Sequence, residues 1–107
     1  MSSLSTHVLD AVRGLPAVGV AVSLTDADGA QMATGVTDPD GRVVALADDL
    51  PAGVYRIAFD TGAWFRDQGV DGFYPEIVIC FTVVDVARHH HVPVLLSPYA
   101  YSTYRGS

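Results

Sequence analysis

The segment GVYRIAF, residues 53–59, sets the tightest limit on the fold: Tyr55, Ile57 and Phe59 fall on one side of a period-two pattern, and Val54, Arg56 and Ala58 on the other. That alternation gives a strand one apolar face, whereas a helix would spread the same residues around its axis. VGVAVSL repeats the device, and Val18, Val20, Val22 and Leu24 are expected to line one core-facing side. Turn chemistry separates these runs. DADG follows the second, QMATGVT reads as another strand, and DPDG closes it, with proline presetting the turn and Gly41 free to take a positive φ. Arg42 leaves that turn at once.

One stretch departs from the pattern. In DTGAWFRDQGV, Asp60 or Thr61 is a candidate N-cap and Gly69 a stop, which predicts a single short helix. PEIVICFTVVDV is almost continuously apolar and is expected to be a central strand covered on both faces. HHHVPVLLSP and YAYSTYRG complete the chain, joined by a Ser-Pro turn. Seven or eight strands with one helix make an all-β sandwich or barrel the expected class.

A chain of 107 residues is expected to form one domain over 1–107 and to bury roughly two thirds of its unfolded surface. Half the residues are hydrophobic and 17% are charged, which excludes disorder as an organising state. The formal charge of -6, with six scattered arginines, argues against nucleic acid and against a polybasic membrane anchor. Cys80 is the one cysteine, so no intrachain disulfide is expected, and its apolar surroundings predict a buried thiol. MSSLSTHVLDAVRG lacks the basic head and apolar run of a secretory leader, and no apolar stretch has the length of a membrane span; the expected compartment is the cytoplasm.

The histidines carry the first hint of chemistry. Alternation places His89, His91, Pro93 and Leu95 on one strand face and His90, Val92, Val94 and Leu96 on the other. The aliphatic trio marks the core side, so His91 is expected to face outward and His90 to lie at the core's margin. A zinc site needs three or four convergent ligands, and the only other histidine is His7, so metal binding is not expected. His7 alone reads equally as a solvated or a packed residue, and Arg42 alone as a solvent-facing turn residue. No Gly-x-Ser-x-Gly elbow, phosphate loop or paired carboxylate is present. Residue by residue, the reading ends at a β-sandwich with a few placed histidines.

The chain's end adds to this. YSTYRGS, preceded by HVPVLLSPY, closely resembles the signature of 5-hydroxyisourate hydrolases, the transthyretin-related enzymes of purine breakdown. STHVLDAVRGLPA, TDPDGR and FYPEIVICF extend the resemblance over essentially the whole chain. It implies a transthyretin-like (prealbumin-like) sandwich of two four-stranded sheets, assembled as a homotetramer with the site in the channel between dimers. It also implies hydrolysis of 5-hydroxyisourate to 2-oxo-4-hydroxy-4-carboxy-5-ureidoimidazoline, without cofactor or metal. The family's active residues fall here on His7, Arg42, His91 and the tail Tyr104, Arg105, Gly106 and Ser107.

On that resemblance, His7 and His91 jointly position and deprotonate a water, with the identity of the proton acceptor left open. Arg42 holds substrate oxygens or ring nitrogens and stabilises developing negative charge. Tyr104 contacts the planar ring, Arg105 shapes the tail and counts with His7, Arg42 and Tyr104 among the substrate-binding residues, and Ser107 supplies a hydroxyl or its carboxylate. Ser102 and Tyr104 are expected on one face of the last strand, and the chain is expected to stop where its final residue meets substrate or a neighbouring subunit. His90 and Trp64 depart from the family, which commonly has an aromatic residue and a tyrosine there, while His89 reads either as a supporting partner or as exposed. The alternatives are a non-catalytic carrier of a small aromatic ligand, for which related hormone carriers lack the YRGS ending, and a structural interaction module.

Overall fold

A computed structural model of the chain describes residues 2–107. The elements are β1 (Leu4–Asp10), β2 (Leu15–Pro16), β3 (Ala21–Asp26), β4 (Gln31–Val36), β5 (Arg42–Ala47), β6 (Gly53–Phe59), α1 (Thr61–Asp67), β7 (Ile77–Val83), β8 (His90–Leu96) and β9 (Tyr101–Thr103). They form two sheets. One runs β4-β3-β6-β7; the other runs β2-β1-β8-β9, with β5 also pairing β1.

Two four-stranded sheets were expected, and the second has five strands. β5 pairs β1 only from Leu4 to His7, which leaves Leu9 and Asp10 without partners on that edge. Leu15 and Pro16 turn back to meet them as β2. The extra strand is a two-residue patch completing an edge that β5 abandons.

The core lies between the sheets. Tyr55, Ile57 and Phe59 of β6 and Val22 and Leu24 of β3 pack with Leu4 and Val8 of β1 and Val92, Val94 and Leu96 of β8. Complete burial of a side chain such as Ile57 or Phe59 contributes about 1.5–3 kcal/mol. The alternation read in β6 therefore holds. Val18 does not join its expected row, because the strand starts only at Ala21 and Val18 is 50% exposed. The helix forms where expected: the Asp60 carboxylate accepts from the Ala63 N–H at 3.3 Å, and Gly69, at φ 68°, follows the last turn.

β7 corrects a second expectation. Its apolar run is not covered on both sides, since β7 is the last strand of its sheet. Ile77 and Val83 are buried, but Val78, Cys80 and Thr82 alternate outward and are exposed. The Cys80 thiol is thus on the surface, not in the core. Local hydrophobicity records what a residue is, not whether a second layer arrives above it.

The pairing of β1 with β8 is parallel and unbroken over seven residues, from Leu4↔His90 to Asp10↔Leu96. The buried Thr6 hydroxyl donates to the Val92 carbonyl at 2.6 Å across this pair. His90 is buried at the core's margin, as alternation predicts, but its Nδ1 has no hydrogen-bond partner among the described residues. A buried polar atom left unpaired costs roughly 1–3 kcal/mol. A cavity of about 320 Å³ beside it, lined in part by Ile79, Phe81 and Val92, gives a larger ring room. His90→Phe is therefore expected to stabilise the fold by about 1 kcal/mol, read as a higher Tm; a lower Tm would show that the imidazole is satisfied in solution.

Candidate active site

The outer face of the five-stranded sheet gathers the polar residues. In β1 the core takes Leu4, Thr6 and Val8, which turns Ser5 and His7 outward. Register then brings partners to them: Ser5 lies opposite His91 and His7 opposite Pro93 on β8, while His7 lies opposite Arg42 on β5. A backbone bridge between His91 and Gly106, with the Gly106 N–H donating to the His91 carbonyl at 2.9 Å, ties the tail to the same row. Three strands and the C-terminal segment thus meet at one end of the sheet.

Arg42 is placed by its turn. The Asp38 carboxylate accepts from the backbone N–H of both Asp40 and Arg42 at 2.9 Å, and the Gly41 N–H donates to the Asp38 carbonyl. Gly41 sits at φ 76°, and a Cβ there would lie 2.4 Å from the Val8 carbonyl oxygen, so only glycine lets this turn press against β1. The only ion pair among the described residues is Arg13–Asp10, which leaves the exposed Arg42 guanidinium without a carboxylate partner.

A cleft of about 370 Å³ is lined by Ser5, Arg42, His89, His91, Tyr104, Gly106 and Ser107. Of the residues expected in the site, Arg42, His91, Tyr104 and Ser107 line it. His7 stands beside it on the same sheet face, with its Nε2–H donating to the Asp40 carbonyl at 2.9 Å. Arg105 lines not this cleft but the apolar cavity next to His90, and His91 and Tyr104 border both spaces. Ser102, paired with Leu95, takes the outward face, but β9 ends at Thr103, so Tyr104 lies beyond the strand.

Two residues enter that were not singled out, or were left open. Ser5 is buried, and its hydroxyl lies 2.7 Å from His91 Nδ1 and 2.7 Å from His89 Nε2. His89 is exposed yet held at both nitrogens, since its Nδ1 meets the Ser3 hydroxyl. It lines the cleft beside His91. The spacing of Ser3, Ser5 and His7 puts all three on one strand face, the one signal that sequence offers for them. Gly106 also has a role: a Cβ there would lie 2.4 Å from His91 Cδ2, so the tail crosses the imidazole where no side chain fits.

His91 titrates below the ordinary histidine value of 6.5. Burial is the main cause, followed by the Arg42 guanidinium and then His89 and His7; the contact with Ser5 partly opposes them. The ring is therefore neutral at neutral pH, the form that can accept a proton. No group of three or more His, Cys, Asp or Glu residues that could hold a metal ion is found among the described residues.

A two-sheet transthyretin-like sandwich with imidazoles, a free guanidinium and a structured tail on one outer face defines the class. The profile of the HIUase/Transthyretin family matches residues 4–106, and the chain belongs to that family. A 5-hydroxyisourate hydrolase of Salmonella dublin is 48% identical over 109 aligned residues, covering 97% of this chain and 80% of that protein. The structure of Klebsiella pneumoniae 5-hydroxyisourate hydrolase superposes with a TM-score of 0.91 at 42% identity, covering 98% of this chain and 99% of that one. Sea bream transthyretin in complex with thyroxine gives the same TM-score of 0.91 at 40% identity, over 97% of this chain and 94% of that one. The fold is thus shared by proteins named as enzymes and by a ligand-binding one.

Two outcomes are expected of the site. Arg42→Gln removes the second cause of the His91 shift and raises its pKa, while burial still holds it below 6.5; NMR titration of the ring protons reads this, and an unchanged or lower value would contradict it. Gly106→Ala forces the His91 ring aside and lowers kcat by on the order of 10-fold or more with Tm nearly unchanged. Full activity in that variant would show that the ring's position is not held by the tail.

Proposed function

We propose that this chain is a hydrolase of 5-hydroxyisourate, opening its oxidised purine ring to 2-oxo-4-hydroxy-4-carboxy-5-ureidoimidazoline as a step of urate degradation. The observation that carries the reading is the placement of a half-buried imidazole, His91, and a guanidinium, Arg42, with no ion-pair partner among the described residues, in one cleft of a chain 48% identical to a protein of that name.

The chemistry follows from the residues. His91 takes a proton from water at Nε2, the ring nitrogen that makes no hydrogen bond to any described residue, and the hydroxide attacks the amide-type carbonyl. Arg42 stabilises the negative charge that develops on oxygen, and collapse of the tetrahedral adduct breaks the C–N bond and returns a proton to the leaving nitrogen. His7, beside the cleft, orients the water. Tyr104 meets the planar ring, and Ser107 contributes a polar group from the tail. Arg105 fixes the tail's path and lines the neighbouring cavity, which His91 and Tyr104 also border. Direct attack by water is supported by the position of Cys80, whose thiol is on the other sheet, away from the cleft.

The cleft is open on the side away from the sheet, and Arg42 and Tyr104 are exposed there. A homotetramer in which paired dimers close this face into a channel would complete the site, and residues 1–107 would act as one hydrolase domain within it. An exposed, unpaired Cys80 suits the cytoplasm. No helix among the described residues is long and apolar enough to cross a membrane.

The likeness to a thyroxine-bound transthyretin makes a carrier the second reading. Turnover separates the two. 5-Hydroxyisourate generated enzymatically from urate is expected to lose its ultraviolet absorbance faster with the protein present, and His91→Asn or Arg42→Gln is expected to lower kcat/KM by about 10² or more. No acceleration, with aromatic-ligand binding that survives His91→Asn, would establish the carrier instead.

A further inference from the structure

The Ser5 hydroxyl touches one imidazole on each side, 2.7 Å from His91 Nδ1 and 2.7 Å from His89 Nε2, and is itself 8% exposed. A hydroxyl has one proton to donate, so it donates to one ring and accepts from the other. The protonation of the two rings is therefore coupled. When His91 carries its proton on Nδ1, it donates to Ser5, Ser5 donates to His89 Nε2, and His89 carries its own proton on Nδ1, facing the Ser3 hydroxyl. His91 Nε2 is then a bare lone pair. In the opposite polarity every bond in the chain reverses, and His91 carries its proton on Nε2.

We propose that Ser5 and His89 form a proton relay that carries the charge of catalysis away from His91 and returns it; this rests on the hydrolase reading above. When His91 Nε2 takes a proton from the attacking water, its Nδ1–H bond breaks and that proton passes to Ser5 Oγ. The original Ser5 proton passes at the same time to His89 Nε2. Ser5 ends neutral, His91 ends neutral with its proton on Nε2, and His89 ends as the imidazolium. Collapse of the adduct runs the sequence backwards: His91 Nε2–H protonates the leaving nitrogen while the charge on His89 returns through Ser5. The net transfer is one proton from water to the leaving group.

The surroundings favour this direction. Burial, then the Arg42 guanidinium on β5, His89 itself and His7 on β1 disfavour a positive charge on the His91 ring. Tyr104 and Ser107 from the tail border the same cleft. His89 is exposed, so water solvates its charge. Ser5 is held for the task by the β1–β8 ladder, in which it lies opposite His91. Ser5 lines the cleft and is proposed to act through His91 and His89, as a positioning and relay residue.

Ser5→Ala and Ser5→Thr test the relay, with His89→Ala as a variant at an exposed position that spares the fold. Ser5→Ala is expected to lower kcat by on the order of 10²-fold with KM and Tm little changed, and Ser5→Thr, which keeps the hydroxyl, to recover most of the loss. His89→Ala is expected to lose a similar factor and to regain activity with added imidazole. Wild-type kcat measured across mixtures of light and heavy water is expected to show more than one proton in flight, and Ser5→Ala only one. Ring ¹⁵N shifts read without substrate are expected to show His91 protonated on Nδ1 in the wild type and released from that preference in Ser5→Ala. Unchanged kcat and unchanged ring shifts in Ser5→Ala would overturn the relay. Absence of wild-type turnover would overturn the hydrolase reading, and the ring shifts would then still decide whether Ser5 couples the two histidines.

Discussion

The parallel ladder between β1 and β8 is the constraint on which the site depends. Its inner rows, Leu4, Thr6 and Val8 against His90, Val92 and Val94, are buried, and its outer rows set Ser5 against His91 and His7 against Pro93. A slip of one residue would exchange the two sides and carry the aliphatic row into water. The burial that stabilises the fold therefore also selects which histidine reaches the cleft. Thr6, inside the sandwich, reinforces that choice with its hydrogen bond to the Val92 carbonyl, one residue from His91.

Around this ladder, each remaining part of the site is brought in by a backbone device. A turn closed by Asp38 and made possible by Gly41 delivers Arg42 to the edge of β1. The bridge from Gly106 to His91 folds the tail across the imidazole and sets Tyr104 and Ser107 at the rim. Electrostatics then follow from position. A chain with a formal charge of -6 presents, at one end of one sheet, an unpaired guanidinium and three histidines. Burial and the Arg42 guanidinium oppose protonation of His91, whatever the sign of the protein as a whole.

Much of this was legible in the sequence, for identifiable reasons. The two faces of GVYRIAF, the Asp60 cap, the DPDG turn and the outward side of His91 are properties of a few adjacent residues, and alternation or turn chemistry states them directly. What failed depended on neighbours distant in sequence. Cys80 and β7 read as buried because their apolar run says nothing about β7 being an edge strand. β2 exists only because β5 leaves β1 early, and Val18 stays exposed because its strand begins late. The spacing of Ser3, Ser5 and His7 marks a shared face, but the partner of Ser5 was invisible for the same reason: nothing in STHVLD states that an imidazole 86 residues away will be set against its hydroxyl. The tail, carried over by resemblance as a unit, lines two adjoining cavities, with Gly106 and Ser107 in the cleft, Arg105 in its neighbour and Tyr104 in both.

The central claim is that the outer face of the β1–β8 sheet is where substrate is bound and opened. A crystal structure of the protein with a stable, planar oxidised-purine analogue tests it most directly. The account predicts the analogue in the cleft, with His91 Nε2 and the Arg42 guanidinium within hydrogen-bonding distance of its ring and the tail from Tyr104 to Ser107 around its rim. An analogue seated on the outer face of the four-stranded sheet, among Ser23, Thr34 and Glu76, would contradict it.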